Sequence, residues 1–206
     1  MTSNNGWTGK GALWLGATGY LEIAAMAQEL NVQDIIARLR VAATQDDATK
    51  AVRAIVEEVV ADPESAAHAF GDPGEDVILY EDETVSIWYT HFHPAMAVPA
   101  HDHQLSACIG VFHGRERNDL FEAGPDGGIR KSSEVFLEPG DVFAIGPKAI
   151  HSVACVSEGP CNGLHVYLGN LTEVDRTLFD VDTGRSMKFD DANYERLMAA
   201  DRFASG

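Results

Sequence analysis

Downstream of about residue 76 the apolar residues change their spacing from every third or fourth position to every second. The runs VILYED, TVSIWYTHF, LSACIGVFHG, RERNDLFEA, IRKSSEVFLE, DVFAI, HSVACVS and GLHVYLG are short and rich in β-branched and aromatic residues. Between them lie the turn-formers 71-GDPGED-76, 124-GPDGG-128, 138-EPGD-141 and 157-SEGP-160. Period two places alternate side chains on opposite faces, the signature of a half-buried strand. A parallel sheet needs a crossover of a dozen or more residues between strands, and none is present. The pattern therefore predicts a mainly β chain, an antiparallel sandwich or jelly roll.

The flanks read as helices. Val32, Ile35, Ile36 and Leu39 fall at i, i+3, i+4 and i+7 behind Asn31, an N-cap type, which predicts a helix over 31–43. Val52, Ile55, Val56 and Val59 repeat the pattern up to Pro63, and a last helix is expected from Asp191 to about Phe203. Neither early helix carries a chemical group on its apolar face, so both read as packing elements. At 206 residues the chain suits one domain. Its expected parts are an N-terminal extension (1–30), a helical addition on the barrel (31–70), the β-barrel (71–190) and a C-terminal helix (191–206). Ala25-Met26-Ala27 resembles a signal-cleavage site, but Gly16, Thr18, Gly19 and Glu22 interrupt the apolar run before it, which is far short of a membrane span. Met26 is an alternative natural start.

A net charge of −17 makes phosphate backbones and anionic lipid surfaces poor partners, so neither nucleic acid nor membrane is expected. Three cysteines without paired spacing do not form a disulfide framework, which suits a reducing, cytoplasmic compartment. Cys155 and Cys161 can approach around 157-SEGP-160, and they read as buried apolar thiols. The expected partners are a small-molecule substrate and O2, with the chain acting as a monomer or homodimer.

The chemistry concentrates in 99-PAHDHQLSAC-108. On a strand, His101 and His103 point to the same face and present two imidazoles side by side. A catalytic ion takes a third protein ligand, for which the candidates are His151, His165, His113 and the pair His91/His93. His151 is best placed, because it opens a strand just after 145-IGPKAI-150.

PAHDHQLSAC followed by EPGDVFAIGPKAIHSV resembles the two motifs of the cupin superfamily. The resemblance implies a double-stranded β-helix that holds one metal through His101, His103 and His151. Many cupins add a glutamate four or five positions after the second histidine, where this chain has Ala107 and Cys108. HDH followed at the fifth position by Cys108, then GRERNDLFEAGPDGG and 163-GLHVYLG-169, is similar to the thiol dioxygenases, the cysteine dioxygenase group in particular. That similarity covers roughly residues 76 to 185. It implies Fe2+, with Zn2+ or Ni2+ as alternatives in the protein as isolated, and a small thiol oxidised to a sulfinate with O2. It also implies catalytic roles for His165 and Tyr167, and a thioether between Cys108 and Tyr167.

Two departures stand out. Gly163 occupies the position of the family's serine in its Ser-x-His-x-Tyr run. From Asp76 to Ala100 there is no Arg or Lys, although cysteine dioxygenases draw a carboxylate-binding arginine from this region. Substrate contacts are instead expected from Arg115, Arg117 or Arg130, or from His91 and His93, and free cysteine is expected to be a poor substrate. Asp102, lying between the two ligands, reads as a strand-end hydrogen-bond acceptor. Two other readings stay open: a three-histidine cupin cleaving a carbon–carbon bond in a diketone-like substrate, and a non-enzymatic metal- or ligand-binding cupin.

Overall fold

The computed structural model describes residues 29–94, 96–124 and 128–204, with side chains up to residue 198. The expected extension and its signal-like run therefore lie almost wholly outside the described residues. Three helices lead: α1 (Val32–Ala42), α2 (Ala48–Val60) and α3 (Pro63–Phe70). Asn31 caps α1 by accepting the backbone N–H groups of Gln33 and Asp34. Pro63 stops nothing. It occupies the first turn of a third helix, where its missing N–H costs no hydrogen bond, and Asp62 caps that helix through the N–H of Ser65.

Eleven strands follow: β1 (Val77–Glu81), β2 (Ser86–Phe92), β3 (Ala97–Asp102), β4 (Ala107–His113), β5 (Glu116–Ala123), β6 (Ile129–Leu137), β7 (Val142–Ile145), β8 (Ile150–Cys155), β9 (Cys161–Tyr167), β10 (Thr177–Phe179) and β11 (Ser186–Lys188). The helix α4 (Asp191–Ala204) closes the described chain. All strand pairs are antiparallel. They form a five-stranded sheet of order β1-β2-β9-β4-β7 and a six-stranded sheet of order β11-β10-β3-β8-β5-β6. From β2 to β10 consecutive strands alternate between the sheets except at the β5–β6 hairpin, which makes a double-stranded β-helix, the jelly roll expected from the period-two runs.

Alternation sorts the five-stranded sheet into two walls. Its outer face buries Ile87, Tyr89, Cys108, Phe112, Leu164 and Val166 against Leu39, Val52, Val56 and Val59 of the helices. Gly110 lets α2 approach: a Cβ there would stand 2.5 Å from Val56 Cγ1 and 3.0 Å from Val60 Cγ1. The inner face turns Ala107, Ile109, Val111 and Tyr167 toward Leu137 of the six-stranded sheet. Burying each large side chain in these clusters contributes roughly 1.5–3 kcal/mol, so they hold the barrel closed around its polar interior.

Candidate metal centre

His101, next to last in β3, lies directly opposite His151, the second residue of β8, so adjacent antiparallel strands put both imidazoles on the barrel's inner face. A register shift between Val98 and His101 contains Pro99, a residue that sheets tolerate at such irregularities. His103 lies just past the end of β3 and joins them. Gln104 then turns the chain with φ of 55°, the one non-glycine residue in the left-handed region among the described residues. His101, His103 and His151 are buried, and one nitrogen from each lies within 4.8 Å of the others. His103 Nε2 is 3.0 Å from His101 Nε2 and 3.2 Å from His151 Nε2.

Hydrogen bonding fixes what those nitrogens offer. His101 Nδ1–H donates to the Pro99 carbonyl at 2.8 Å, and His151 Nδ1–H donates to Asn118 Oδ1 at 2.8 Å. Asn118 Nδ2 in turn donates to Glu116 Oε1 at 2.7 Å. Both imidazoles therefore present an unprotonated Nε2 to the cluster when neutral. Burial pushes the His101 imidazolium down to about 4, assisted by the Arg176 charge, and holds His103 and His151 well below the ordinary histidine range. A proton on His103 Nε2 satisfies only one of its two neighbours, and His103 Nδ1 is buried without a hydrogen-bond partner.

Three neutral imidazoles with converging lone pairs fit a divalent cation. Nitrogens sharing an ion at about 2.1 Å stand roughly 3 to 3.4 Å apart at octahedral or tetrahedral angles. Among the described residues no carboxylate or thiol joins the cluster, so a bound ion would keep its full charge and open positions. Asp102 is occupied elsewhere, accepting the Thr177 N–H at 2.9 Å and Gln104 Nε2 at 2.7 Å, as befits a strand-end acceptor.

The sheet order gives the chain a double-stranded β-helix fold. No family model matches the chain. Among solved structures it is similar to a conserved protein with a double-stranded β-helix domain from Klebsiella pneumoniae, at 17% identity over 52% of this chain and 81% of the other, TM-score 0.41. A cupin superfamily protein from Desulfitobacterium hafniense is 17% identical over 46% of this chain and 76% of its own, TM-score 0.38. An oxalate decarboxylase variant from Bacillus subtilis is 16% identical over 46% of this chain and 24% of its own, TM-score 0.37.

Tyr167 and His165 stand beside the cluster. The Tyr167 ring meets the His103 ring edge-on at 4.9 Å, and His165 Nδ1 is 3.4 Å from the Tyr167 hydroxyl. Burial raises the phenol well above its ordinary range and pushes His165 down to about 3, so both are neutral at physiological pH.

Cys108 is elsewhere. Ala107 pairs with Tyr167 and Cys108 with Val166, which sends the thiol to the helix-facing wall and the phenol to the interior. The thioether is therefore not available in this fold. The chain turns over Gln104 to Ser106 between β3 and β4, and Cys108 emerges on the outward face of β4. The other expected contacts are also displaced. His91 lies on the outer wall, 3.1 Å from Asp72 Oδ1, and His93 is exposed. Arg115 is exposed, pairs with Glu138 at 2.7 Å and covers the Phe136 ring. Arg117 faces away from the barrel interior, 3.3 Å from Asp119. Arg117 and His93 line a groove of about 1100 Å³ beneath α4, which shares no residue with the histidine cluster.

Two residues of the site were not singled out from sequence. Arg176 precedes β10, and the Asp102 carboxylate holds the adjoining Thr177 N–H. Its guanidinium lies over the Phe189 ring at 4.1 Å, and that ring meets His101 edge-on at 5.5 Å. Its charge is felt at His101, His103 and Tyr167, and burial pulls its own pKa down. Among the described residues the guanidinium has no hydrogen bond or ion pair. Glu116, on β5, is 1% exposed, and burial raises its carboxyl to about 7. The motif RERNDLFEA carried one signal for it, since Glu116 and Asn118 share a strand face.

Proposed function

We propose that this chain is an iron(II)-dependent dioxygenase that oxidises a small thiol bearing a carboxylate to its sulfinate with O2. The observation that carries the proposal is Arg176: a partly buried guanidinium in no ion pair or side-chain hydrogen bond among the described residues, with the Asp102 and Glu81 carboxylates felt only as nearby charges, beside three neutral imidazoles and a tyrosine. A buried cation left unpaired is costly, and a bidentate carboxylate is the partner its geometry suits. His101, His103 and His151 would hold Fe2+, which when bound would supply the redox chemistry that joins the thiol sulfur to O2.

The remaining residues bind and orient. Arg176 takes the carboxylate, and the thiol proton leaves to solvent as the thiolate forms. Tyr167 directs its hydroxyl into the cluster, held by His165. Trp88 and Leu171 pack against Tyr167 and keep the pocket apolar on that side. The overall change, RSH + O2 → RSO2− + H+, places both oxygen atoms on sulfur. A substrate ammonium finds no free acid at this end of the barrel. Asp102 is occupied, and Glu81 accepts hydrogen bonds from Ser86 and Thr172. The fitting substrate class is therefore a mercaptocarboxylate, with free cysteine a poor member.

The test is oxygen uptake by the iron-loaded protein with 3-mercaptopropionate, mercaptosuccinate, cysteine, cysteamine and a 1,3-diketone, with sulfinate followed by mass spectrometry. Saturable turnover of a mercaptocarboxylate, without turnover of cysteamine, supports the reading. Turnover of the diketone alone, or tight binding of every ligand without turnover, overturns it.

A further inference from the structure

Gly163 stands where thiol dioxygenases carry the serine of their Ser-x-His-x-Tyr run, and the fold explains why no serine fits. A Cβ on Gly163 would lie 2.8 Å from the Gly110 carbonyl oxygen, 3.2 Å from Thr90 Oγ1 and 3.3 Å from His165 Cδ2. β4 passes too close for any side chain. His165 Nε2 is consequently buried with no hydrogen-bond partner among the described residues. The nearest acidic group is Glu116, whose Oε2 is 3.8 Å away, and both side chains are buried.

We infer that Glu116 takes the serine's place as a positioning residue, with one carboxyl directing both His165 and, through Asn118, the metal ligand His151. The inference rests on the metal-centre reading given above. Its geometry is a branched relay. One arm runs from Glu116 Oε1 to Asn118 Nδ2 at 2.7 Å and from Asn118 Oδ1 to His151 Nδ1 at 2.8 Å. The other runs from Glu116 Oε2 toward His165 Nε2 and on to the Tyr167 hydroxyl, 3.4 Å from His165 Nδ1. The first arm sets the tautomer of His151, so that its Nε2 faces the ion.

The second arm sets the direction of the tyrosine. With Glu116 ionised, Oε2 accepts the His165 Nε2–H, Nδ1 becomes an acceptor, and the Tyr167 O–H turns toward it. With Glu116 protonated, its O–H donates to Nε2, the His165 proton sits on Nδ1, and the Tyr167 O–H is released toward the metal pocket. The titratable groups around Glu116 are His165 and Tyr167 on β9, His151 and Cys155 on β8, and Cys161 at the start of β9. No cation other than a histidine approaches it among the described residues.

The test reads the relay without turnover. Load the full chain with Zn2+, which is diamagnetic, and follow histidine tautomers by long-range 1H–15N NMR from pH 5.5 to 9. In the wild type, His165 switches from Nδ1–H to Nε2–H as pH rises, while His151 keeps Nδ1–H throughout. In Glu116→Gln the amide donates to Nε2 at every pH, so His165 stays Nδ1–H and the switch disappears. The same variant is expected to lose 10- to 100-fold in Zn2+ affinity by chelator competition, the usual effect of removing such a supporting group. A wild-type His165 that keeps one tautomer across the range overturns the inference without any variant. So does a switch retained in Glu116→Gln. If the tautomers behave as expected and no thiol is turned over, the relay stands and the dioxygenase reading falls.

Discussion

The two walls of the five-stranded sheet are built from the same strands and do opposite work. On β9, Leu164 and Val166 face the helices while His165 and Tyr167 face the barrel. On β4, Cys108, Gly110 and Phe112 face outward while Ala107, Ile109 and Val111 face inward. One step of sequence separates an apolar wall from a wall that stands beside the histidine cluster. The outer wall is redundant: many side chains share the burial, and no one of them is chemically unique. The inner wall is singular, because each polar group there has one partner or waits for one. Damage on the outer wall is therefore expected to appear as stability, and damage on the inner wall as activity.

The largest departure from that division would come at Arg176. Arg176→Ala removes the carboxylate's partner and leaves the ligands alone. Its kcat/KM for a mercaptocarboxylate should fall roughly 100-fold or more, most of it in KM, with iron content unchanged. Steady-state oxygen uptake measures it, and a loss under threefold would place the substrate carboxylate elsewhere.

Glu116 gives a pH signature in the metal-free protein. Its folded carboxyl titrates near 7, while in the unfolded chain it titrates near 4.3. Below about 4.3 both states hold the proton and the group contributes no difference. As pH rises toward 7 the unfolded state releases its proton first, so stability falls, and above 7 the loss is complete at about 4 kcal/mol as an upper figure. Urea titrations should show the wild type losing stability relative to Glu116→Gln over that window. Parallel curves would contradict the assignment.

A smaller effect belongs to the outer wall. Gly110→Ala drives a methyl into Val56 and Val60 and should cost about 1–3 kcal/mol by overpacking. Iron binding should survive it, which chemical denaturation and metal analysis together would check. The smallest effect is at Cys108. Its thiol is pushed up to about 12 by burial and lies on the wrong wall for chemistry. Cys108→Ala should cost about 1 kcal/mol, leave kcat unchanged, and reveal no two-hydrogen mass deficit in the wild type.

What the chain discloses in sequence follows the same division. Period-two runs carry the barrel because each strand has one wall to bury, and eight of the eleven described strands, β1, β2 and β4 to β9, could be read off that way. Residues 97–102 were missed as a run because Pro99 breaks the pattern, although His101 was placed on a strand from its spacing to His103. β10 and β11 are three residues each, too short to show a period. The helix α3 was hidden because a proline closes a helix or opens one, and only Asp62 immediately before it, as a capping residue, distinguishes the cases. His101, His103 and His151 were legible because a chelating pair is local and the third ligand sits at a strand start. Arg176 was not, since its approach depends on the Asp102 to Thr177 hydrogen bond across 75 residues of chain. Cys108 misled because its link to Tyr167 came from the family resemblance alone, and β4 sets Ala107, not Cys108, opposite Tyr167.

The central claim is that His101, His103 and His151 hold one metal ion. It is tested most directly by loading the purified chain anaerobically with Fe2+, desalting it, and measuring iron per chain by mass spectrometry for the wild type, His101→Ala, His151→Ala and the outer-wall histidine variant His91→Ala. The account predicts one iron per chain in the wild type and in His91→Ala, and less than a tenth of that in the other two. Stoichiometric iron in His101→Ala and His151→Ala would contradict it.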